Sequence, residues 1–294
     1  MADKIAFIGF GEAGQTLGRG LIDAGARSVR SYDILFNDAA DAGRLARAAR
    51  ALGVAAARDH ADAVRGAELV FLAVTAGSSL EAARSCLPGL SPGQLFLDIN
   101  SVSPERKRAT AALVAPTGAR YVDVAVMGPV APYGHKVPLL VGGPGAKELL
   151  PRARALGMAA EYVSEEVGPA SAIKMFRSII VKGLEALMVE CMLASSSYGV
   201  EDRVLASLAE TFPGLDWQRL SGYFIERVVS HGKRRAEEMR EVAATVREAG
   251  LEPLMAGAAA ARQQWVADLG VGRHLGAKTD ERGVLMAALR RALE

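Results

Sequence analysis

The chain has 294 residues, half of them apolar, and 35 basic side chains against 33 acidic ones leave a net charge of +2. That length outgrows one small core and suits two domains, while balanced charge without a basic, aromatic-laced tract argues against nucleic acid as a partner. The two cysteines, Cys86 and Cys191, have no metal-ligand spacing, so no metal is expected and a reducing, cytoplasmic setting is.

Lys4-Ile5-Ala6-Phe7-Ile8-Gly9 is a continuous apolar run, the pattern of a strand buried on both faces of a parallel sheet. It begins so early that no signal peptide is expected before it. Gly9-Phe10-Gly11-Glu12-Ala13-Gly14 follows, then Leu17, Leu21 and Ile22 at helical spacing, then a second strand, Ser28-Val29-Arg30-Ser31-Tyr32-Asp33. Strand, G-x-G-x-x-G turn, helix and acid-tipped strand together make a dinucleotide-binding pattern. Gly9 permits the tight turn, Gly11 lets a pyrophosphate approach the backbone, and Gly14 allows close packing of helix on strand. Phe10, Glu12 and Ala13 complete the turn as cofactor-binding candidates, with the phosphates on the helix N-terminus, where amides and dipole favour anions. Asp33, nineteen residues after Gly14, is placed to accept hydrogen bonds from an adenosine ribose and to repel a 2′-phosphate. NAD is therefore the expected cofactor, with NADP kept open by Arg30 and Asn37 nearby.

The alternation continues with a helix over 38–52, a short strand over 54–57 and buried strands over 68–74 and 94–99. Ser103 and Pro104 have the character of an N-cap and a first-turn proline. In an open parallel sheet, ligands collect beyond the strand C-termini. Val74, Thr75 and Asn100 are thus candidates to line a nicotinamide pocket, and Ser101 to touch substrate; ordinary loop hydroxyls are the alternative for Thr75 and Ser101. A strand over 120–126, a loop punctuated by glycine and proline, and a strand over 137–143 come next. A helix over 146–156 and a strand over 160–163 complete the sheet. His135, in that loop, is expected at the surface, with a substrate-side role as the alternative.

Residues 167–197 read as one long helix, apolar around most of its circumference and so expected to be buried on several sides. Lys174, Ser178, Lys182 and Glu185 fall within about 80° of arc at ~100° per residue. Such a polar stripe is costly to bury unless it faces a partner or a cleft. Lys182, Glu185 and Glu190 interrupt the apolar run over 179–194, so no membrane span is expected. Further helices are expected over 201–211, 216–230, 233–249, 254–268 and 280–292, with a break at Gly232. Lys233-Arg234-Arg235, followed by Glu237 and Glu238, has the pattern of a solvated helix face. The fold class is α/β: a Rossmann-type, doubly wound, mostly parallel sheet over 1–165, then an all-α domain over 166–294 for substrate and dimerisation. The apolar helix faces exceed what a small helical domain covers, so a homodimer is expected.

Three blocks, Phe7 to Gly14, Asp123 to Gly143 and Gly168 to Ser178, resemble the β-hydroxyacid dehydrogenase family, which includes 3-hydroxyisobutyrate and 6-phosphogluconate dehydrogenases. The resemblance spans nearly the whole chain. Residues 172–178, the loop 126–129 and His231 to Met239 are similar to a bacterial branch with a 6-phosphogluconate-dehydrogenase-like C-terminal domain. The resemblance implies hydride transfer between a nicotinamide cofactor and a small hydroxyacid or sugar-acid-like substrate, with Lys174 as general acid/base. A lysine desolvated on a buried helix loses basicity, which suits that role; an interdomain ion pair is the alternative. Met127, Gly128 and Pro129 stand where the family has Ser-Gly-Gly for a substrate carboxylate, and Ser178 stands at its asparagine. Arg177 replaces the histidine of the sugar-phosphate branch, Val181 its glutamate, and Glu237 a further lysine. These departures disfavour sugar-phosphate decarboxylation. Lys182 is left either to bind a polar substrate group or to pair with Glu185 three residues on. Imine reduction and non-catalytic cofactor binding are the alternative functions.

Overall fold

The computed structural model describes residues 4–26, 28–37, 42–273, 275 and 279–294. Its contacts divide the chain into two units, Met1–Lys174 and Met175–Glu294. In the first, the apolar runs form β1 (Lys4–Ile8), β2 (Ser28–Tyr32), β3 (Ala55–Ala56), β4 (Leu69–Leu72), β5 (Leu95–Asp98), β6 (Arg120–Val126), β7 (Leu139–Gly142) and β8 (Ala160–Ser164). They make one sheet in the order β3-β2-β1-β4-β5-β6-β7-β8. Every neighbouring pair is parallel except β6 and β7. The connection from β6 to β7 lacks the long crossover that a parallel return requires, so β7 folds back antiparallel.

Helices α1 (Glu12–Asp23), α2 (Ala42–Ala51), α3 (His60–Val64), α4 (Ser79–Cys86), α5 (Pro104–Val114), α6 (Val130–Tyr133) and α7 (Ala146–Ala155) connect the strands. Two buried clusters, one centred on Phe7, Phe71 and Leu97 and the other on Ile8, Val70 and Phe96, use alternate residues of the same strands. Period-two alternation sends successive side chains to opposite faces, so β1, β4 and β5 must be apolar throughout. The expected helix over 38–52 starts at Ala42 among the described residues; its first four positions lie outside them. The short helices α3, α4 and α6 were not legible as separate elements, because each offers only one or two turns of periodicity.

The long helix α8 (Pro169–Ser196) runs out of the first unit into the second. There α9 (Glu201–Thr211), α10 (Trp217–Glu248), α11 (Leu254–Asp268) and α12 (Arg282–Arg291) follow, with no strand after Ser196 among the described residues. The expected break at Gly232 does not occur: α10 is one helix of 32 residues. A Cβ at Gly232 would stand 2.7 Å from the Gln263 carbonyl oxygen, so the glycine brings α10 close to α11 rather than ending the helix. Among the described residues no helix is long and apolar enough to cross a membrane.

Candidate active site

β1, β4, β5 and β6 run parallel, so their C-terminal ends bring Gly9, Val74, Asn100–Ser101 and Met127 to one edge of the sheet. At that edge Gly9 has φ +97°, and a Cβ there would collide with the Ala73 carbonyl. A Cβ on Gly14 would collide with the Gly9 carbonyl, whereas one on Gly11 would meet nothing within 4 Å. The turn is thus tight beneath and open above. No side chain caps α1 at Gly11, leaving the helix start, from Glu12 and Ala13, able to offer amides to an anion in that open space. Asp33 ties the turn to the end of β2. Its carboxylate accepts the Phe10 N–H at 2.7 Å and the Leu35 N–H at 2.9 Å. Phe10 itself points inward and is fully buried. These features fit the diphosphate and ribose of a dinucleotide.

Asn100 is buried and bridges two strand ends. Its amide oxygen accepts the Val74 N–H at 2.9 Å, and its amide nitrogen donates to Asp98 at 2.8 Å. It therefore shapes the edge with its side chain spent on the protein, while Thr75 stays exposed and hydrogen-bonds Ser78. Ser103 caps α5 by accepting the Arg106 N–H, with Pro104 in the first turn, as its sequence predicts. On the next β-strand edge, the Met127 N–H donates to the Pro138 carbonyl, and Gly128 packs near Tyr133 and Val137, with Pro129 exposed.

Lys174 lies one turn into α8, half-buried, and its Nζ donates to Ser101 Oγ at 2.6 Å. Beneath this pair is a fully enclosed ionic cluster. Lys107, Asp98 and Asp123 each have no exposure, and the ammonium lies 3.3 Å from Asp98 Oδ1 and 3.6 Å from Asp123 Oδ1. Asp98 also accepts the Tyr121 hydroxyl at 2.7 Å. Burial, and then the two carboxylates, hold the Tyr121 phenol well above its ordinary pKa, so it stays a donor. Asp123 accepts the N–H groups of Gly168 and Ser171 and the Ser171 hydroxyl, at 3.0 to 3.1 Å, and so anchors the start of α8. Lys107, Asp98 and Asp123 were missed in the sequence. The signal was there: two carboxylates inside apolar strands need a cation, and Lys107 shares a helix face with the buried Pro104, Thr110 and Val114.

Along α8 the expected burial holds for Met175, Met188 and Val189 but not for the whole circumference. Ser178, Lys182 and Glu185, in the stripe expected to face a partner or a cleft, are buried, while Ile173, Phe176, Ile180 and Leu187 are 44 to 65% exposed. The polar stripe is tolerated because it is paired within the helical unit. Lys182 lies 2.8 Å from Glu238 and Glu185 lies 2.8 Å from Arg235. The Lys182 ammonium meets Glu238 on α10 and also acts on Glu185, three residues along its own helix. Arg235 is buried too, so Lys233-Arg234-Arg235 is not a uniformly solvated face. Burial, against the opposing pull of Arg235, pushes the Glu185 carboxyl up to about 7. His135 is partly buried on the loop before β7, close to the expected surface position. Its ring packs where a side chain on Gly20 would stand, at the end of α1 away from the G-x-G-x-x-G turn, and burial lowers its pKa. Among the described residues no group of three His, Cys, Asp or Glu side chains could hold a metal.

Comparison with known proteins matches residues 4–160 to the NAD-binding domain of 6-phosphogluconate dehydrogenase, and residues 195–266 to a domain of unknown function, DUF1932. The chain is similar to a conserved hypothetical protein from Sinorhizobium meliloti, at 39% identity over 99% of this chain and 97% of that one, with a TM-score of 0.77. It is 28% identical to an NAD-dependent L-serine dehydrogenase from Pseudomonas aeruginosa over 73% of this chain and 71% of the relative. A 3-hydroxyisobutyrate dehydrogenase from Mycobacterium tuberculosis, solved with L-serine, shares the fold at 22% identity and a TM-score of 0.73 over 99% of both chains.

Proposed function

The chain belongs to a β-hydroxyacid dehydrogenase-like family with an NAD-binding domain of the 6-phosphogluconate dehydrogenase type, and from that premise we propose that it oxidises the alcohol of a small hydroxyacid with Lys174 as general acid/base. The observation that carries this is the 2.6 Å hydrogen bond between Lys174 Nζ and Ser101 Oγ, at the sheet edge that also holds the open glycine turn. A bound nicotinamide supplies the hydride acceptor. Lys174, as the neutral amine, would take the proton from the substrate hydroxyl oxygen as the carbon bearing that oxygen gives up its hydride and becomes a carbonyl; as the ammonium it would return that proton in the reverse direction. Ser101 orients the amine and stands within reach of the same substrate oxygen. Met127, Gly128, Pro129 and Ser178 are the proposed substrate contacts. L-serine and 3-hydroxyisobutyrate, named for two similar proteins, are the first substrates to try.

Asp33 supports NAD over NADP. Two backbone N–H groups hold its carboxylate still at the end of β2, where a 2′-phosphate would meet a fixed negative charge. The exposed Ile173, Phe176, Ile180 and Leu187 cover about 60° of one helix at ~100° per residue. This narrow apolar stripe supports a homodimer.

The test is a screen for NADH formation against hydroxyacids and sugar acids, with NAD and NADP in parallel. Turnover with NAD, lost by roughly 10²- to 10⁴-fold in Lys174→Met while NADH still binds, is the expected result. Lys174→Met turning over as fast as the unmutated protein would overturn the role of Lys174. NADH binding without turnover on any member of the panel would favour a cofactor-binding protein that is not an enzyme.

A further inference from the structure

Ser101 and Lys174 are 73 positions apart in sequence, yet each is tethered by a short arm to the same buried cation. On one side Lys107 Nζ donates to the Asp98 carbonyl at 2.6 Å and lies 3.3 Å from its carboxylate. That carboxylate accepts both the backbone and the side-chain N–H groups of Asn100, at 3.0 and 2.8 Å, and Ser101 is the next residue. On the other side the ammonium lies 3.6 Å from Asp123 Oδ1, an oxygen with no hydrogen-bond partner. The second oxygen of Asp123 holds Gly168 and Ser171, and Lys174 follows Ser171 by one helical turn. Both carboxylates are wholly buried and converge on one ammonium. Without it, two like charges would face each other across the gap between β5 and β6, and each arm would be free to relax away from the other.

We propose that Lys107 is a positioning residue: its buried ammonium draws Asp98 and Asp123 together and so sets the distance between Ser101 and Lys174. The inference deepens the proposed function and rests on it for its kinetic consequence, but not for its geometric one. Lys107 touches neither substrate nor cofactor. It acts through two carboxylates on the two groups that do the proton transfer, where a misplacement of about 1 Å can cost roughly 100-fold in rate.

The test uses the charge-matched variant Lys107→Met/Asp98→Asn, which keeps the cluster's net charge unchanged, and Asp123→Asn, whose amide oxygen can still accept from Gly168 and Ser171. Crystal structures of both are compared with the unmutated protein, together with ADP-ribose affinity and kcat and KM on the substrate found by screening. The expected result is a Lys174–Ser101 contact opened beyond hydrogen-bond reach, kcat lower by roughly 100-fold in the double variant and less in Asp123→Asn. ADP-ribose affinity, which reports the glycine turn and Asp33, stays within about 3-fold. A contact still made at ordinary hydrogen-bond length in both variants overturns the proposal, as does an open contact with loss of ADP-ribose binding, which signals a disturbance spread over the whole sheet edge. An open contact with unchanged kcat, alongside an active Lys174→Met, upholds the positioning and overturns the proton-transfer role instead.

Discussion

In the sheet unit, Lys107, Asp98 and Asp123 are enclosed without exposure, and the two carboxylates rest on backbone N–H groups of Asn100, Gly168 and Ser171. In the helical unit, Lys182, Glu185, Arg235 and Glu238 are held by contacts between side chains of two helices, α8 and α10. Arg235 Nε and Gln263 Oε1 are buried there without a hydrogen-bond partner. Strand ends and helix starts present fixed amide donors to a carboxylate, whereas the interior of a helix has already spent its amides on its own backbone. The sheet unit can therefore hold its buried carboxylates in a fixed geometry. The helical unit leaves Glu185 near neutrality, at about 7. The sheet cluster is fixed by backbone amides, whereas in the helical cluster burial raises the Glu185 carboxyl.

The largest effect expected from breaking this contrast is on the sheet side. Lys107→Met leaves two buried carboxylates uncompensated and is expected to cost about 3–5 kcal/mol in denaturant unfolding; a loss below about 1 kcal/mol would mean the cluster is not ionised as drawn. The next effect is a pH dependence on the helical side. Glu185 has a folded pKa of about 7, above its ordinary 4.5, so the folded state holds more protons between those values. Its contribution to stability is complete below the unfolded pKa and is lost as pH rises through about 7. Glu185→Gln should thus gain on the unmutated protein by roughly 2 kcal/mol between about pH 5 and pH 8, measured as the difference in unfolding free energy. A difference that is flat with pH would equalise the two clusters. An effect smaller than that of Lys107→Met belongs to Lys182→Met, whose ion pair with Glu238 is less fully enclosed than the sheet cluster and whose loss should cost about 1.5–3 kcal/mol. A cost equal to that of Lys107→Met would erase the distinction between amide-anchored and side-chain-only charge.

A second contrast lies on α8 itself. The polar stripe and the exposed apolar stripe are centred roughly 170° apart at ~100° per residue, so the helix shows opposite character on opposite sides. Periodicity revealed the polar stripe, and the expectation of a partner or a cleft followed from the cost of burying it unpaired. What periodicity omitted was the partner: Glu238 and Arg235 lie far along the sequence, on another helix, and nothing local in Glu237-Glu238 distinguishes a paired acid from a solvated one. His135 was similarly opaque. Its place against Gly20 depends on α1 passing beside the loop before β7, a contact between elements and not a property of either.

The amino-acid order by itself determined the local pieces. Doubly buried strands announce themselves through near-continuous apolar runs, and the glycine turn through its spacing, with Gly9 and Gly14 tolerating no Cβ. The all-helical second half announces itself through unbroken 3.6-residue spacing, with Gly232 misjudged because a helix-breaking residue and a helix-packing one look alike in a single chain. Tertiary structure decided which of the many charges are enclosed together. Asp98, Lys107 and Asp123 meet only because β5 and β6 align in parallel register, with Asp98 opposite Asp123, while α5 lays Lys107 across them. Ionic pairing inside a protein acts through distance and burial, and both are made by chain crossings that no sequence window contains.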